Sequence, residues 1–338
     1  MSNPTVVFPE AREVRVEDRD VPDPGPGEFL VETTRTLVST GTELTILSGD
    51  YPEGSNWDSY GEYPFDAGYC NVGEVVATGE GVDPDLVGTR VASRSSHAAY
   101  HTVAEDGLWV PVPEAVDDEE AAFFAIAGIV MNGVRRGEVS WGDDVAVYGL
   151  GLLGQFAVRF CQHAGARTVV GFDLADSRLE YLPDLPAVVG ANPREEAPTD
   201  VVDEAAGRDA DVVFEVTGSP AAIPDQFDVL REAGRFVVLS SPRGETPFDF
   251  HDLCNGPGYE IVGAHEMTHA PERVAGWGYD DAAWTHRRHY EYFFELLAEG
   301  RVDVEPLVSH RVPGEDAPAL YEDLLEDRTD ALGVVLEW

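Results

Sequence analysis

The 338-residue sequence is 43% hydrophobic, enough to bury two packed cores and more than one domain of usual size holds. Its 64 acidic residues face only 22 basic ones, all of them arginine, for a formal net charge of −42. No basic stripe is available to neutralise phosphates, which argues against nucleic-acid binding. The acids are scattered among periodic apolar segments and form no tail, so the chain reads as a folded protein whose self-repulsion is relieved by salt, as in the cytoplasm of a halophile.

Cys70, Cys161 and Cys254 lie far apart and make no CxxC pair, so neither a disulfide framework nor a cysteine-rich zinc lobe is available. The opening "MSNPTVVFPEAREVR" has no charged start followed by an apolar core, and no apolar run approaches ~18 residues. A soluble, cytoplasmic protein without membrane contact is expected.

The first 110 residues carry short alternating or β-branched runs, "TVVFP", "EFLVETTRTLVS", "CNVGEVVATGEGV" and "LWVPVP", set off by turns such as "PDPGPGE". This predicts a mostly β domain. "DDEEAAFFAIAGIVMNGVRRGE" then predicts a helix, with acids in its first turn and Arg135, Arg136 and Gly137 at its end. From Asp143 to about Ala264 apolar strands alternate with helical stretches: "VAVYG", "RTVVGFD", "AVVGA", "DVVFEVTG", "GRFVVLSS" and "YEIVGAH". Such continuous apolar strands predict a doubly wound parallel sheet. The tail, "EPLVSHRVP", "APALYEDLLEDR" and "LGVVLEW", returns to mixed strand and helix.

"VAVYGLGLLGQFAVRFCQHAGARTVVGFD" holds Gly149, Gly151 and Gly154 in GxGxxG spacing, with Leu152 and Leu153 between the last two. A strand runs into it, an amphipathic helix leaves it, and Asp173 closes the next strand. The glycines would let the backbone approach a pyrophosphate seated on the helix N-terminus. Asp173 can accept hydrogen bonds from the adenosine ribose and repel a 2′-phosphate, which favours NAD over NADP; Arg178 nearby works against that preference. Asp173 could instead cap the helix that follows. Val216, Thr217 and Gly218, and likewise Ser240 and Ser241, fall at strand carboxyl ends, where open parallel sheets bind ligands.

Taken with "PDPGPGEFLVET", "EGV…GTRV" and "PLVSHRVP" in this order, these segments make the chain resemble the medium-chain dehydrogenase/reductase superfamily, the zinc alcohol dehydrogenase-like proteins, over nearly its whole length. The resemblance implies a GroES-like β-rich catalytic domain over residues 1–125, completed by 268–338, and a Rossmann domain over 126–267. It also implies a small-molecule substrate and a homodimer or homotetramer. "STGTEL", "PFDAGYCNVGEVV", "HAAY" and "IVMNGV" look most like the branch around bacteriochlorophyllide a dehydrogenase, a name that supplies no substrate.

The family's zinc loop reads Cys-Gly-Thr/Ser-Asp; here Thr40, Gly41, Thr42 and Glu43 match it. The Gly-His-Glu of the second ligand is matched by Tyr69 and Cys70, and the third ligand falls on or next to Ala125. Cys70 alone cannot hold a site that wants three protein ligands and a water, so no catalytic zinc is expected.

Without metal, a hydrogen-bond donor must act on the carbonyl oxygen. The resemblance places Tyr69 or His97 as that donor and Thr42 as proton relay, with Thr40, Glu43, Cys70 and Asn132 lining the substrate cleft. Glu43 is expected to pair with an arginine. Each could equally be structural: Tyr69 filling the emptied pocket, Thr40 and Thr42 serving a turn, His97 a buried histidine. "HEMTH", His265 to His269, matches the HExxH of zinc peptidases, but a strand before it and Pro271 after it argue against the helix that motif needs. "HRRH", His286 to His289, reads as a polar helix face. The expected activity is hydride transfer between NAD and an alcohol, polyol or sugar carbonyl. A zinc-free quinone or enoyl reductase and a catalytically inactive dinucleotide-binding protein stay open as alternatives.

Overall fold

The computed structural model describes residues 2–269 and 284–338. The chain divides into two compact units, Met1–Ile126 with Pro271–Trp338, and Ala127–Ala270. Of the segment expected to complete the first domain, residues 270–283 lie outside the described residues. The expected α/β architecture is present, a β-rich unit and a parallel-sheet unit. Among the described residues no helix is long and apolar enough to cross a membrane.

The first unit is built on the long strand Glu28–Val38. Its first half pairs antiparallel with Tyr100–Ala104, its last residues pair with Gly333–Glu337, and Asn71–Thr78 runs along most of it. Arg90–Ser93 and Trp109–Pro111 extend the sheet on one side, and Val308–Pro313 on the other. A smaller sheet joins Ser2–Phe8 to Arg15–Asp20 and Phe65–Asp66. Phe29, Val31, Val75, Val91 and Val103 fill the interior of the large sheet. A second core packs Leu44, Ile46 and Leu47 of the helix Thr40–Ser48 against Leu320, Tyr321 and Leu324 of the helix Ala317–Glu326 and against Val6, Phe8, Val334 and Leu336. Removing each such large apolar side chain from water is worth about 1.5–3 kcal/mol, so this packing fixes where the two helices sit.

"VSTGTEL" is therefore neither a free turn nor an irregular loop: Thr40 opens a helix. The helix expected after the four acids breaks into Asp118–Ala121, with a capping box between Asp117 and Glu120, and Phe124–Arg136.

The second unit carries six parallel strands in the spatial order Val188–Ala191, Thr168–Phe172, Asp144–Tyr148, Ala210–Glu215, Leu230–Val238, Glu260–Gly263. The order reverses between Asp144–Tyr148 and Ala210–Glu215, which creates a crevice at their carboxyl ends. Both of these strands are wholly buried, as their unbroken apolar runs predict. The helix expected after the fourth strand is reduced to 3₁₀ segments at Pro220–Ala222 and Pro224–Val229, because Pro224 lacks the amide donor that would carry one helix on from Pro220.

Candidate functional site

In the second unit, the strand Asp144–Tyr148 exits through Gly149, at φ +95°, into the helix Leu152–Ala164. The three glycines do different work. A Cβ on Gly154 would lie 1.8 Å from the carbonyl oxygen of Gly149, so the helix packs against its own entry turn more closely than any side chain allows. A Cβ on Gly149 would lie 2.8 Å from the backbone of Val216, with its φ also in the glycine region. A Cβ on Gly151 would meet nothing within 4 Å. No side chain caps the helix at Gly151, so the amides of its first turn, Leu152 and Leu153 included, belong to the uncapped donor end. Open space before an uncapped helix N-terminus suits a pyrophosphate.

Asp173 is buried at the end of Thr168–Phe172. Its Oδ2 accepts from the amide of Leu150 at 2.7 Å, its Oδ1 from the amide of Ala175 at 2.9 Å, and Arg178 Nη1 stands 3.4 Å from Oδ2. The acid expected on the ribose thus also clasps the fingerprint turn and the start of the next helix, and Arg178 offsets its charge. Val216, Thr217, Gly218 and Ser240 sit at the carboxyl ends of the next two strands; Ser241, beside them, is exposed. Thr217, Gly218 and Ser240 are held by a residue that sequence reasoning missed. Glu215, fully buried, accepts from the amides of Thr217 and Gly218, from the Thr217 hydroxyl and from the Ser240 hydroxyl. The available signal was an acid closing the apolar run "DVVFE" and followed by Thr-Gly.

Asn132, expected in the cleft, is buried and donates to Thr268 Oγ1 at 2.9 Å. That contact anchors "HEMTH", which is a single 3₁₀ turn at Glu266–Thr268. His265 Nδ1 accepts from the Met267 amide, while His269 is buried with Nε2 3.1 Å from the Gly128 carbonyl oxygen. The two histidines do not share an α-helical face, so the peptidase spacing is coincidental. "HRRH" is only partly the polar face expected, since His289 is fully buried with Nδ1 2.8 Å from the Thr285 carbonyl oxygen.

In the first unit, a polar cluster surrounds the helix start at Ser39. Ser39 is the N-cap, yet its hydroxyl makes no capping bond. It accepts instead from Tyr69 Oη at 2.7 Å. The capping role falls to Glu43, whose Oε1 reaches back to the Ser39 amide at 2.7 Å. Glu43 Oε2 lies 3.0 Å from His97 Nε2 and accepts from the hydroxyl of Tyr321. Glu43, His97 and Tyr321 are all enclosed. The expected arginine partner of Glu43 is thus replaced by a histidine and a tyrosine, because the carboxylate points into the packed core where its helix meets Ala317–Glu326.

The His97 ring lies flat on Gly68, whose hypothetical Cβ would be 2.7 Å from three ring atoms, and its Nδ1 is buried without a hydrogen-bond partner among the described residues. The Arg94 guanidinium, another residue the sequence reading missed, stands 4.7 Å over the Tyr69 ring and donates to Tyr290 Oη at 3.2 Å. Burial pushes the Tyr69 phenol far above its ordinary pKa, so it stays protonated. Thr42 is half-buried in the first helical turn, the Thr40 carbonyl accepts from Arg328, and Cys70 is fully buried.

A family model described as zinc-binding dehydrogenase matches residues 153–275. L-threonine 3-dehydrogenase of Stenotrophomonas maltophilia strain K279a is 29% identical over 266 residues, 69% of this chain and 76% of its own. Among solved structures, 2R,3R-butanediol dehydrogenase from Bacillus subtilis superposes with a TM-score of 0.80 at 20% identity, covering all of both chains. An Escherichia coli CFT073 alcohol dehydrogenase complexed with NADH gives 0.80 at 19% identity, again covering all of both chains. These likenesses support a place in the medium-chain dehydrogenase/reductase superfamily.

The matching family model is described as zinc-binding, and the residues here can be tested against that metal. At the three positions that the resemblance matches to the family's ligands, this chain carries the Thr40 hydroxyl, the protonated Tyr69 phenol beside the single thiol of Cys70, and, at or next to the third, the Ala125 methyl group. Zinc takes thiolate, imidazole or carboxylate in tetrahedral array. Among the described residues no three His, Cys, Asp or Glu side chains converge as such a group. The donor set does not fit a catalytic zinc.

Proposed function

We propose that this oxidoreductase is an NAD-preferring, zinc-independent dehydrogenase of an alcohol or polyol, in keeping with the threonine and butanediol dehydrogenases it resembles. The observation that carries the reading is the hydrogen-bonded cluster Tyr69–Ser39–Glu43–His97–Tyr321 at the position of the family's metal. The dinucleotide would be held by the turn Gly149–Gly154, Asp173 and the loops at Val216–Gly218 and Ser240, and it supplies the hydride chemistry when bound.

The protein supplies the polarising group. A phenol kept protonated by burial can turn its one hydrogen, which Tyr69 gives to Ser39 when no substrate is bound, onto a substrate oxygen across the working pH range. Tyr69 is partly exposed, whereas His97 is wholly enclosed, so Tyr69 is the donor and His97 with Glu43 holds it in place through Ser39. Thr42, half-buried one turn into the same helix, remains the relay hydroxyl. Asp173 favours NAD. The paired Arg178 supports a second reading, a zinc-free quinone or enoyl reductase that accepts NADPH.

The test is metal analysis of protein purified in multimolar KCl with zinc present, together with NADH and NADPH titrations and a screen of alcohols, polyols and quinones. Metal-free protein that prefers NADH and loses turnover in Tyr69→Phe supports the proposal. Stoichiometric zinc, or unchanged turnover in Tyr69→Phe, would overturn it. The charge of −42 supports activity at high salt; a melting temperature that falls as KCl rises would count against that reading.

A further inference from the structure

Glu215 is a fully buried carboxylate whose neighbours are all donors. Oε1 accepts from the Thr217 amide at 2.8 Å, the Gly218 amide at 3.0 Å and the Thr217 hydroxyl at 2.5 Å, while Oε2 accepts from the Ser240 hydroxyl. Its backbone carbonyl takes the amides of Leu239 and Ser240, each at 3.1 Å. An ionised carboxylate is acceptor-only and meets all four side-chain bonds; an amide of the same shape would turn a donor against donors. The segment it holds forms the wall of the fingerprint turn, since a Cβ on Gly149 would strike Val216 and Thr217, and the Val216 amide donates to Tyr148 O at 2.8 Å.

The sheet order places these strand ends on the far side of the switch point from Asp173, in the half that serves the second mononucleotide. We propose that Glu215 is the positioning residue for the nicotinamide half of the dinucleotide, setting the loops at 216–218 and 239–241 against the Gly149 turn. This rests on the dinucleotide reading above. A merely structural carboxylate would affect both halves of the site alike, which makes the two roles separable.

The experiment compares wild type, Glu215→Gln and Ser240→Ala, full-length in multimolar KCl, by NADH fluorescence titration and by calorimetric titration of ADP, a probe of the adenosine half. Circular dichroism reports folding. Glu215→Gln should weaken NADH about tenfold, as when the competent loop conformation falls to about a tenth of the population. It should also lose the blue shift of bound-nicotinamide emission while leaving ADP affinity within about twofold. Ser240→Ala should move NADH in the same direction by a smaller factor. Unchanged NADH binding, or equal weakening of NADH and ADP, overturns the proposal. If Glu215→Gln fails to fold, Ser240→Ala decides: unchanged NADH affinity there overturns it. A wild type that binds ADP but neither NADH nor NADPH would instead sink the dinucleotide reading, and this inference with it.

Discussion

The fingerprint turn of the second unit and the Ser39 cluster of the first are both candidate ligand sites, but they are built by opposite means. At Gly149, Gly151 and Gly154 the site is an absence of side chains, enforced by backbone atoms 1.8 to 2.8 Å from where a Cβ would stand at two of them and by open space at the third. Around Ser39 the site is a set of side chains, each oriented by the next, from Tyr69 to Tyr321. The first kind tolerates no added atom; the second tolerates no removed one.

The sharpest way to break this comparison is at the glycines. Gly154→Val places atoms within the Gly149 carbonyl and should abolish folding of the second unit, seen as loss of soluble protein. Gly151→Val meets no protein atom, so it should leave the melting temperature within about 2 °C, a change of well under 1 kcal/mol, while eliminating NADH binding. Equal damage from both would show that Gly151 serves the fold and not the ligand.

Removing a partner from the side-chain site should cost less than Gly154→Val but more than a surface change. Glu43→Ala leaves the Ser39 amide, the Tyr321 hydroxyl and His97 facing a void and should destabilise by about 1–3 kcal/mol or more in denaturant unfolding, the cost of leaving a buried hydrogen-bonding group unmatched. A loss below 1 kcal/mol would mean that water enters and satisfies the cluster.

A second buried histidine sharpens the point. His101 lies between the Ser93 and Thr33 hydroxyls, and burial lowers its pKa from 6.5 to about 3. Since the folded state disfavours the charged ring, its contribution is complete above the unfolded value of about 6.5 and is lost as pH falls from there towards 3, by up to a few kcal/mol. Melting temperatures followed from pH 8 to pH 4 should fall, and His101→Gln should flatten that slope. Within the side-chain site the smallest effect on stability is expected for Tyr69→Phe, which removes one hydrogen bond to Ser39 and should cost about 1 kcal/mol against a much larger loss of turnover. Parallel losses in both would make Tyr69 a packing residue.

The difference in construction explains what could be read from the chain. Gly149, Gly151, Gly154 and Asp173 lie within one βαβ unit, where spacing and flanking strands declare the turn, and six apolar runs announce the parallel sheet. The break-up of the helix after the fourth strand was not legible, because the alternation of strand and helix overrides the local effect of Pro224 in such a reading. Tyr321 stands 278 residues from Glu43 and carries no motif, so nothing nearby in sequence marks it as a partner. Glu215 was hidden for another reason: a buried acid is recognised only when its donors, Thr217, Gly218 and Ser240, are seen to converge.

The clasp between Glu43 and Tyr321 also bears on how the protein is made. The ribosome produces Glu43 early, then the whole contiguous unit Ala127–Ala270, and only afterwards the helix Ala317–Glu326. Domains fold as units during synthesis, so the dinucleotide-binding unit can mature while the first unit still lacks part of its core. Until Tyr321 emerges, the Glu43 carboxylate lacks one of its three partners, and the candidate catalytic cluster is completed only after the second unit has been made.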